Sequence, residues 1–346
     1  MDDLDKRLLN QIQGDFPLAA QPFAELGGPL GLSEDEVVER MRALKRGKIV
    51  RQVSAIFDTK SLGYKSSLVA MRVAPEQITQ AARIINEHPG VTHNYERNHE
   101  YNLWFTIAVP PTSDLEAVID RIHELAGAEV TRIMYTLRLF KIGVNLDMTG
   151  KRAADATSTP EYGEADRARA REFTVSELDK AVIRELQEDL PIEPRPFLPL
   201  AERLGVTEDA LFAAARDLQR RGFLRRVAAI LYHRRAGFKA NGMGVWAVPA
   251  ERVEAAGVTM ASFSNVSHCY QRPTYADWPY SVFSMVHGRS EEECEDVLAA
   301  ISKAIGVTEY ISLYSTREYK KTRLRFYTSE YEEWEAKHLP QPVVAR

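Results

Sequence analysis

Two cysteines stand in 346 residues, Cys269 and Cys294. That is too few for a disulfide framework, and no Cys-x-x-Cys metal or heme-attachment motif can be written with them. Basic charge is not in excess either. The 45 Lys and Arg are outnumbered by 49 Asp and Glu, for a net charge of -4 at pH 7, which argues against a protein whose main task is coating nucleic acid. No apolar run approaches the roughly 20 residues that cross a bilayer. The opening MDDLDKRLL lacks the basic stretch followed by an apolar one that marks a secretory signal. No membrane is expected, and the expected address is cytoplasmic.

What is present is a chain written twice. Leu4-Asp5-Lys6 recurs as Leu178-Asp179-Lys180, a shift of 174 residues. At the same shift Pro17, Pro22 and Phe23 recur as Pro191, Pro196 and Phe197, and Gly31-Leu32-Ser33-Glu34-Asp35 as Gly205-Val206-Thr207-Glu208-Asp209. Further on, His93, Tyr95 and Arg97 are answered by His268, Tyr270 and Arg272. So long a period is a duplicated domain pair, not a solenoid.

Each copy reads as two units. In the first, Leu4, Leu8, Leu9 and Ile12 fall at helical spacing, and a second helix follows Pro22. A third begins at the capping box Ser33-x-x-Glu36 and ends at Gly47, ahead of a wing strand over Ile49 to Phe57. Three helices and a wing make a winged helix-turn-helix. In the second unit, runs at Lys65 to Val73, Val91 to Arg97, Leu103 to Val109 and Val130 to Lys141 read as strands. Helices are expected over Glu76 to Asn86 and Leu115 to Ala126. That order, βαββαβ, is ferredoxin-like. The fold class is α+β, with winged helices at 1–60 and 177–235 and ferredoxin-like domains at 61–148 and 236–330. A linker, partly helical, spans 149–176, and a tail spans 331–346.

A winged helix ordinarily binds DNA, but the recognition helix opens with Glu34, Asp35 and Glu36 in one copy and Glu208 and Asp209 in the other. Carboxylates in that turn meet phosphate with like charge, with no local Lys or Arg in compensation. Nucleic acid is therefore not the expected partner.

The motifs resemble two groups of proteins. The opening LDKRLLNQIQ, the segment GLSEDEVVERMRALKRGKIV and the Leu-Gly before the first strand are similar to Lrp/AsnC-type transcription regulators. Two motif pairs depart from those regulators: HNYERNHEYNLWFT with HCYQRPTYADWPYSVFSMVHG, and YTLRLFKIG with YSTREYKK. These resemble the siroheme decarboxylases of heme d1 and alternative heme biosynthesis, here with the two related subunits fused. The resemblance covers nearly the whole chain apart from the linker and the tail. Ser281 stands where the first half has Asn102, so the two halves need not share one pocket chemistry.

The resemblance implies removal of the C12 and C18 acetate carboxylates of siroheme, giving 12,18-didecarboxysiroheme. The reaction is proton-assisted, with no external redox cofactor and no metal beyond the iron the substrate carries. Expected partners are the iron tetrapyrrole and other heme-biosynthesis enzymes. The halves should form a pseudo-dimer within one chain, open to further dimerisation, with the pocket where their sheets meet.

Such chemistry needs Arg to hold carboxylates and a proton donor matched to neutral pH, for which His is suited. Period-two alternation puts His268, Tyr270 and Arg272 on one strand face, and Val91, His93, Tyr95 and Arg97 on the other copy's. The bland reading is that these rings fill an interface. His287 and His99 have no counterpart in the other half. The candidate proton donors are His268 and His287, then His93 and His99; axial ligation of the iron by one of them stays open. Arg97, Arg272, Arg138, Arg317, Lys141 and Lys320 are candidates for carboxylates, or for solvated strand edges. Tyr95, Tyr270 and Trp104, with Tyr135, Tyr314 and Trp278, could stack on a macrocycle or serve as core. His88, His123 and His338 suggest only solvation, and His233 is left without a role. Two rivals remain: a ligand-responsive regulator that binds DNA, and a tetrapyrrole carrier without turnover.

Overall fold

The computed structural model describes residues 1–142, 164–232 and 240–339; His233 lies outside them. In chain order the first half runs α1 (Asp3–Gly14), α2 (Pro22–Gly27), α3 (Glu34–Arg46), β1 (Val50–Phe57), β2 (Lys65–Arg72), α4 (Ile78–Glu87), β3 (Val91–Arg97), β4 (Leu103–Val109), α5 (Leu115–Ala126), β5 (Val130–Met134) and β6 (Arg138–Ile142). There follow α6 (Glu164–Ala170), α7 (Glu177–Leu186), α8 (Leu198–Leu204), α9 (Glu208–Arg220), β7 (Leu224–Leu231), β8 (Ala240–Trp246), α10 (Val253–Ser262), β9 (Val266–Gln271), β10 (Val282–Gly288), α11 (Glu291–Ile305), β11 (Tyr310–Lys321) and α12 (Glu330–His338). The α6 helix falls in the stretch expected to link the halves, and α12 in the expected tail.

Two compact units result. One holds both winged helices. The capping box forms as written, Ser33 N–H donating to the Glu36 carboxylate at 2.8 Å and Ser33 Oγ accepting from Glu36 N–H. Leu8, Leu9, Ile12, Val37 and Met41 are fully buried in the first copy, each such side chain contributing about 1.5–3 kcal/mol. The wing strands pair with one another, β1 antiparallel to β7. Gly47 caps the recognition helix as expected, and the left-handed position after the helix is Lys48 in the first copy and Gly222 in the second.

Among the described residues, the other unit is built on a nine-stranded sheet in the order β5-β2-β4-β3-β11-β8-β10-β9-β6. One helix-covered core, with Val91, Phe105 and Ile119, belongs to the first half, and another, with Trp246, Val266 and Leu298, to the second. A third cluster, Ala70, Trp104, Val245, Trp278, Phe283 and Leu313, draws on both halves.

The expected single strand Val130 to Lys141 is broken at Tyr135–Leu137. Its first part pairs with β2 of its own half and its second with β9 of the other. The chain must leave one sheet edge to reach the other, and the break is that passage. In the second half the same exchange occurs without a break. Tyr310 to Tyr314 of β11 pair with β8, and Ser315 to Lys321 with β3.

Candidate active site

A β-bulge shapes both strands that carry the duplicated His-Tyr-Arg residues. On β3 the register steps from Val91 opposite Ile107 to His93 opposite Thr106, and on β9 from Val266 opposite Val286 to His268 opposite Met285. One extra residue in each strand re-aims the side chains around it. Val91 consequently packs beneath the helices, whereas uninterrupted alternation puts it on the face of His93; the bulge corrects that expectation. Beyond the bulge Asn94 donates to the Ala82 carbonyl of α4 at 3.2 Å, and Cys269 sits against Gly257 of α10. The alternate positions hold two columns, with the rings stacked in the second half and tilted in the first.

In the second half the imidazole of His268 lies 6.1 Å from the Tyr270 ring at 22°, and the Arg272 guanidinium stands 4.7 Å from that ring's centre. In the first half His93 lies 6.1 Å from Tyr95, and Arg97 stands 5.9 Å from the same ring. Arg97 and Arg272 are only 7 % and 8 % exposed. Each reaches across to the other half's crossing strand, Arg97 donating to the Leu313 carbonyl at 2.9 Å and Arg272 to that of Met134. Neither Nε has a partner, and neither guanidinium meets a carboxylate among the described residues. Burial pulls both down to about 10, so both stay charged at neutral pH. A buried cation without a counter-charge is costly, and a carboxylated ligand would supply one.

His268 and His287 are joined through a residue that the sequence reading passed over. Ser267 Oγ lies 2.8 Å from His268 Nδ1 and 2.5 Å from His287 Nε2. His287 Nδ1 in turn lies 2.6 Å from Asn241 Oδ1, on the β8 residue directly opposite it. Burial, then the neighbouring His287 and Arg272, depress His268 to about 4. The first half repeats the inner part of this chain, with Thr92 Oγ1 at 3.0 Å from His93 Nδ1. Two residues beyond the partner of His93 comes Ala108, opposite Ser66. A hydroxyl directly before each repeated histidine was the available signal.

His99 and Trp104 gather in an adjoining aromatic cluster. Trp278 lies 5.4 Å from His99 and 5.3 Å from Trp104, and Phe283, 6.2 Å from Trp278, carries the Arg272 guanidinium at 5.4 Å. His99 Nδ1 accepts from the Tyr101 N–H, and burial lowers its pKa. The Trp104 indole donates to the Tyr101 carbonyl at 2.6 Å. Tyr101 donates to Asp277 at 2.5 Å, and Arg132 grips that carboxylate with two nitrogens at 3.0 and 2.9 Å. This clamp between the halves also went unread in the sequence.

The remaining candidates are not brought to the columns. Arg138 pairs with Glu254 of α10, and exposed Arg317 stacks on Tyr319 at 4.8 Å. Lys141 donates to the Phe263 carbonyl at 2.8 Å and Lys320 to that of Asn86 at 2.7 Å, each capping the C-terminal end of a helix. Tyr135 and Tyr314 pack on the helix-covered cores, donating to Glu116 and Glu295. His88 is fully buried, and so not the solvated residue expected. His123 Nδ1 lies 2.8 Å from Thr131 Oγ1, and His338 packs 4.8 Å from Trp334.

Known proteins match this arrangement. The family model of an AsnC-like ligand binding domain matches residues 61–141 and 235–320, and that of the siroheme decarboxylase NirDL-like HTH domain matches 5–51 and 179–225. The siroheme decarboxylase of Hydrogenobacter thermophilus is 39 % identical over 329 residues, covering 95 % of this chain and 96 % of its own. The siroheme decarboxylase beta subunit of Methanosarcina barkeri is 44 % identical over 147 residues, 42 % of this chain and 97 % of its own. The crystal structure of the siroheme decarboxylase NirDL in co-complex with an iron-uroporphyrin III analogue superposes with a TM-score of 0.77. It is 34 % identical and covers 97 % of this chain and 98 % of that one. The chain belongs to the siroheme decarboxylase family, a family of carboxy-lyases.

Proposed function

We propose that the protein removes the C12 and C18 acetate carboxylates of siroheme as carbon dioxide, yielding 12,18-didecarboxysiroheme for heme d1 or an alternative heme route. The observation that carries this reading is the pair of buried, charged guanidiniums, Arg97 and Arg272, each stacked beside a Tyr and a His and lacking a carboxylate partner among the described residues. They suit the side-chain carboxylates of the macrocycle, whose faces would meet Tyr95 and Tyr270. Trp104 would wall the same space. The relative that binds an iron-uroporphyrin III analogue supports a substrate of this class.

In the chemistry proposed, a histidine protonates the ring carbon bearing the acetate. The bond to the carboxylate then breaks, and its electron pair enters the cationic ring as carbon dioxide leaves. The methylene left behind is protonated to a methyl as the ring carbon gives up its proton. One proton is consumed per carbon dioxide released, and nothing is oxidised or reduced. His268 and His287 are the proposed donors, with His93 and His99 next. Arg138, Arg317, Lys141 and Lys320 are assigned no part in substrate binding, because their charges are spent on the helix-covered side or at the exposed strand edge.

The test is anaerobic incubation of the purified protein with siroheme, followed by chromatography and mass analysis. Loss of one and then two molecules of carbon dioxide is expected. Binding seen by absorbance with unchanged mass would make the protein a carrier. Neither binding nor turnover would reopen the regulator reading. Turnover that survives His268→Ala with His287→Ala would overturn the donor assignment.

A further inference from the structure

We infer that Ser267 is a positioning residue that couples His287 to His268 in a single proton relay, that Asn241 sets the outer end of that relay, and that only the second half carries it. The inference deepens the decarboxylase reading and rests on it for the identity of the proton acceptor.

Geometry carries the argument. Three contacts of 2.6, 2.5 and 2.8 Å run unbroken from Asn241 through His287 and Ser267 to His268. Asn241 presents its amide oxygen to His287 Nδ1, so that nitrogen holds a proton and Nε2 is left to exchange with the serine. The Ser267 hydroxyl both donates and accepts, and it can therefore face either ring. When His287 is charged, its Nε2–H points at Ser267 Oγ, the serine O–H points at His268 Nδ1, and His268 carries its proton on Nε2. Passage of that Nε2 proton to the substrate is balanced by two shifts, from Ser267 to His268 Nδ1 and from His287 to Ser267. His287 ends neutral and is recharged from solvent.

The division of labour follows from placement. The groups facing His268 are Tyr270 and Arg272 on its own strand and His287 on β10, while β6 alongside sets Ile142 opposite it and turns Lys141 to the Phe263 carbonyl. Burial beside a guanidinium keeps His268 from storing a proton at neutral pH. His287 is half-buried, ends a strand, and has the amide oxygen to steady its charged form. The bulge on β9 makes the relay possible, since it brings Ser267 against the imidazole of its own neighbour in sequence.

The experiment compares wild type with Ser267→Ala, Ser267→Thr, Asn241→Leu and Asn241→Asp. The readouts are kcat and KM for siroheme against pH, and the titration of the two imidazoles by nitrogen NMR without substrate. Ser267→Ala should lower kcat at neutral pH about a hundredfold, leave KM nearly unchanged, and move the alkaline limb of the profile, where the charged His287 is lost, to lower pH. Ser267→Thr should restore most of the rate, Thr92 showing that the bulge accepts a threonine. Asn241→Leu should shift the limb down, and Asn241→Asp should shift it up by stabilising the imidazolium. In the NMR titration the two rings should respond to each other in wild type and independently in Ser267→Ala. An unchanged pH profile and unchanged imidazole titrations in Ser267→Ala would overturn the relay while leaving the decarboxylase intact. A wild type that leaves siroheme unaltered would sink the decarboxylase reading, and the NMR comparison would still decide whether the hydrogen-bonded chain exists.

Discussion

Trp334 of α12 stands edge-on against His88, ring centroids 4.6 Å apart and planes 76° to one another. His88 Nδ1 accepts from the Gly90 N–H at 3.0 Å, and its Nε2 is buried without a partner. Burial, with Lys320 and His338 adding like charge, depresses this imidazole to about 3.

Acid sensitivity follows. An unfolded histidine binds its proton near pH 6.5 and His88 does not until about 3, so its stabilisation is complete above pH 6.5 and wanes as pH falls between those values. Urea titrations should show a loss on the order of 2 kcal/mol between pH 7 and pH 5 from this residue. His268, depressed to about 4, adds to it with the same sign. His88→Asn, which keeps an acceptor for Gly90, should be less stable at pH 7 and should flatten the pH dependence. A slope unchanged from wild type would show that His88 is not buried neutral.

Lys320 and Arg272 should separate fold from function. Lys320→Met removes the ammonium from the end of α4 and should cost about 1–2 kcal/mol of stability, with KM for siroheme within twofold of wild type. Calorimetry and steady-state kinetics on one preparation measure both, and a tenfold rise in KM would return Lys320 to the binding face.

Arg272→Gln and Arg97→Gln should each raise the Kd for siroheme tenfold or more, as expected for a lost charge-assisted contact of about 1.5–3 kcal/mol. Absorbance titration measures this, and ligand-induced protection against melting should shrink in parallel. Affinity unchanged from wild type in both variants would assign these guanidiniums to the Leu313 and Met134 carbonyls alone.

Duplex DNA should bind, at most, more weakly than about 10⁻⁴ M at physiological salt, the weak end of ordinary non-specific affinity. In the recognition helices Lys45 is already paired with Asp189 at 2.7 Å, Glu208 with Arg195, and Arg42 with Glu39 at 2.8 Å and the Ile192 carbonyl. The wings are paired with each other. Fluorescence anisotropy with a labelled duplex is the check, and micromolar, salt-sensitive binding would contradict it.

The fold was legible because local signals agreed. The Ser33 capping box, the apolar spacing of α1 and the strand runs between Lys65 and Val109 all point one way, and the repeat states the helical spacing a second time, as Leu178, Val182, Ile183 and Leu186. The two columns were legible too, since period-two alternation survives beyond the bulge. The bulges themselves were not, because an extra residue shows itself only against its partner strand. Hence Val91 was placed on the wrong face, and Ser267 and Asn241 went unnoticed although they touch residues that were named. Lys141, Lys320, Arg138 and Arg317 illustrate a different limit. A cation at a strand end is equally ready for a ligand or for a helix terminus, and only the neighbouring helix decides. The Asp277 clamp joins residues that lie far apart in the chain and carries no local pattern.

The reciprocal crossing of β6 and β11 has a consequence for assembly. Each half completes the other's sheet, so neither is finished until it has found a mate, and a half paired with its own copy would satisfy the same strand edges. Joining the two in one polypeptide removes that competition by mass action. Every molecule then holds one half with two linked histidines and one half without, in fixed one-to-one stoichiometry. The asymmetry needs no specific recognition surface to enforce it.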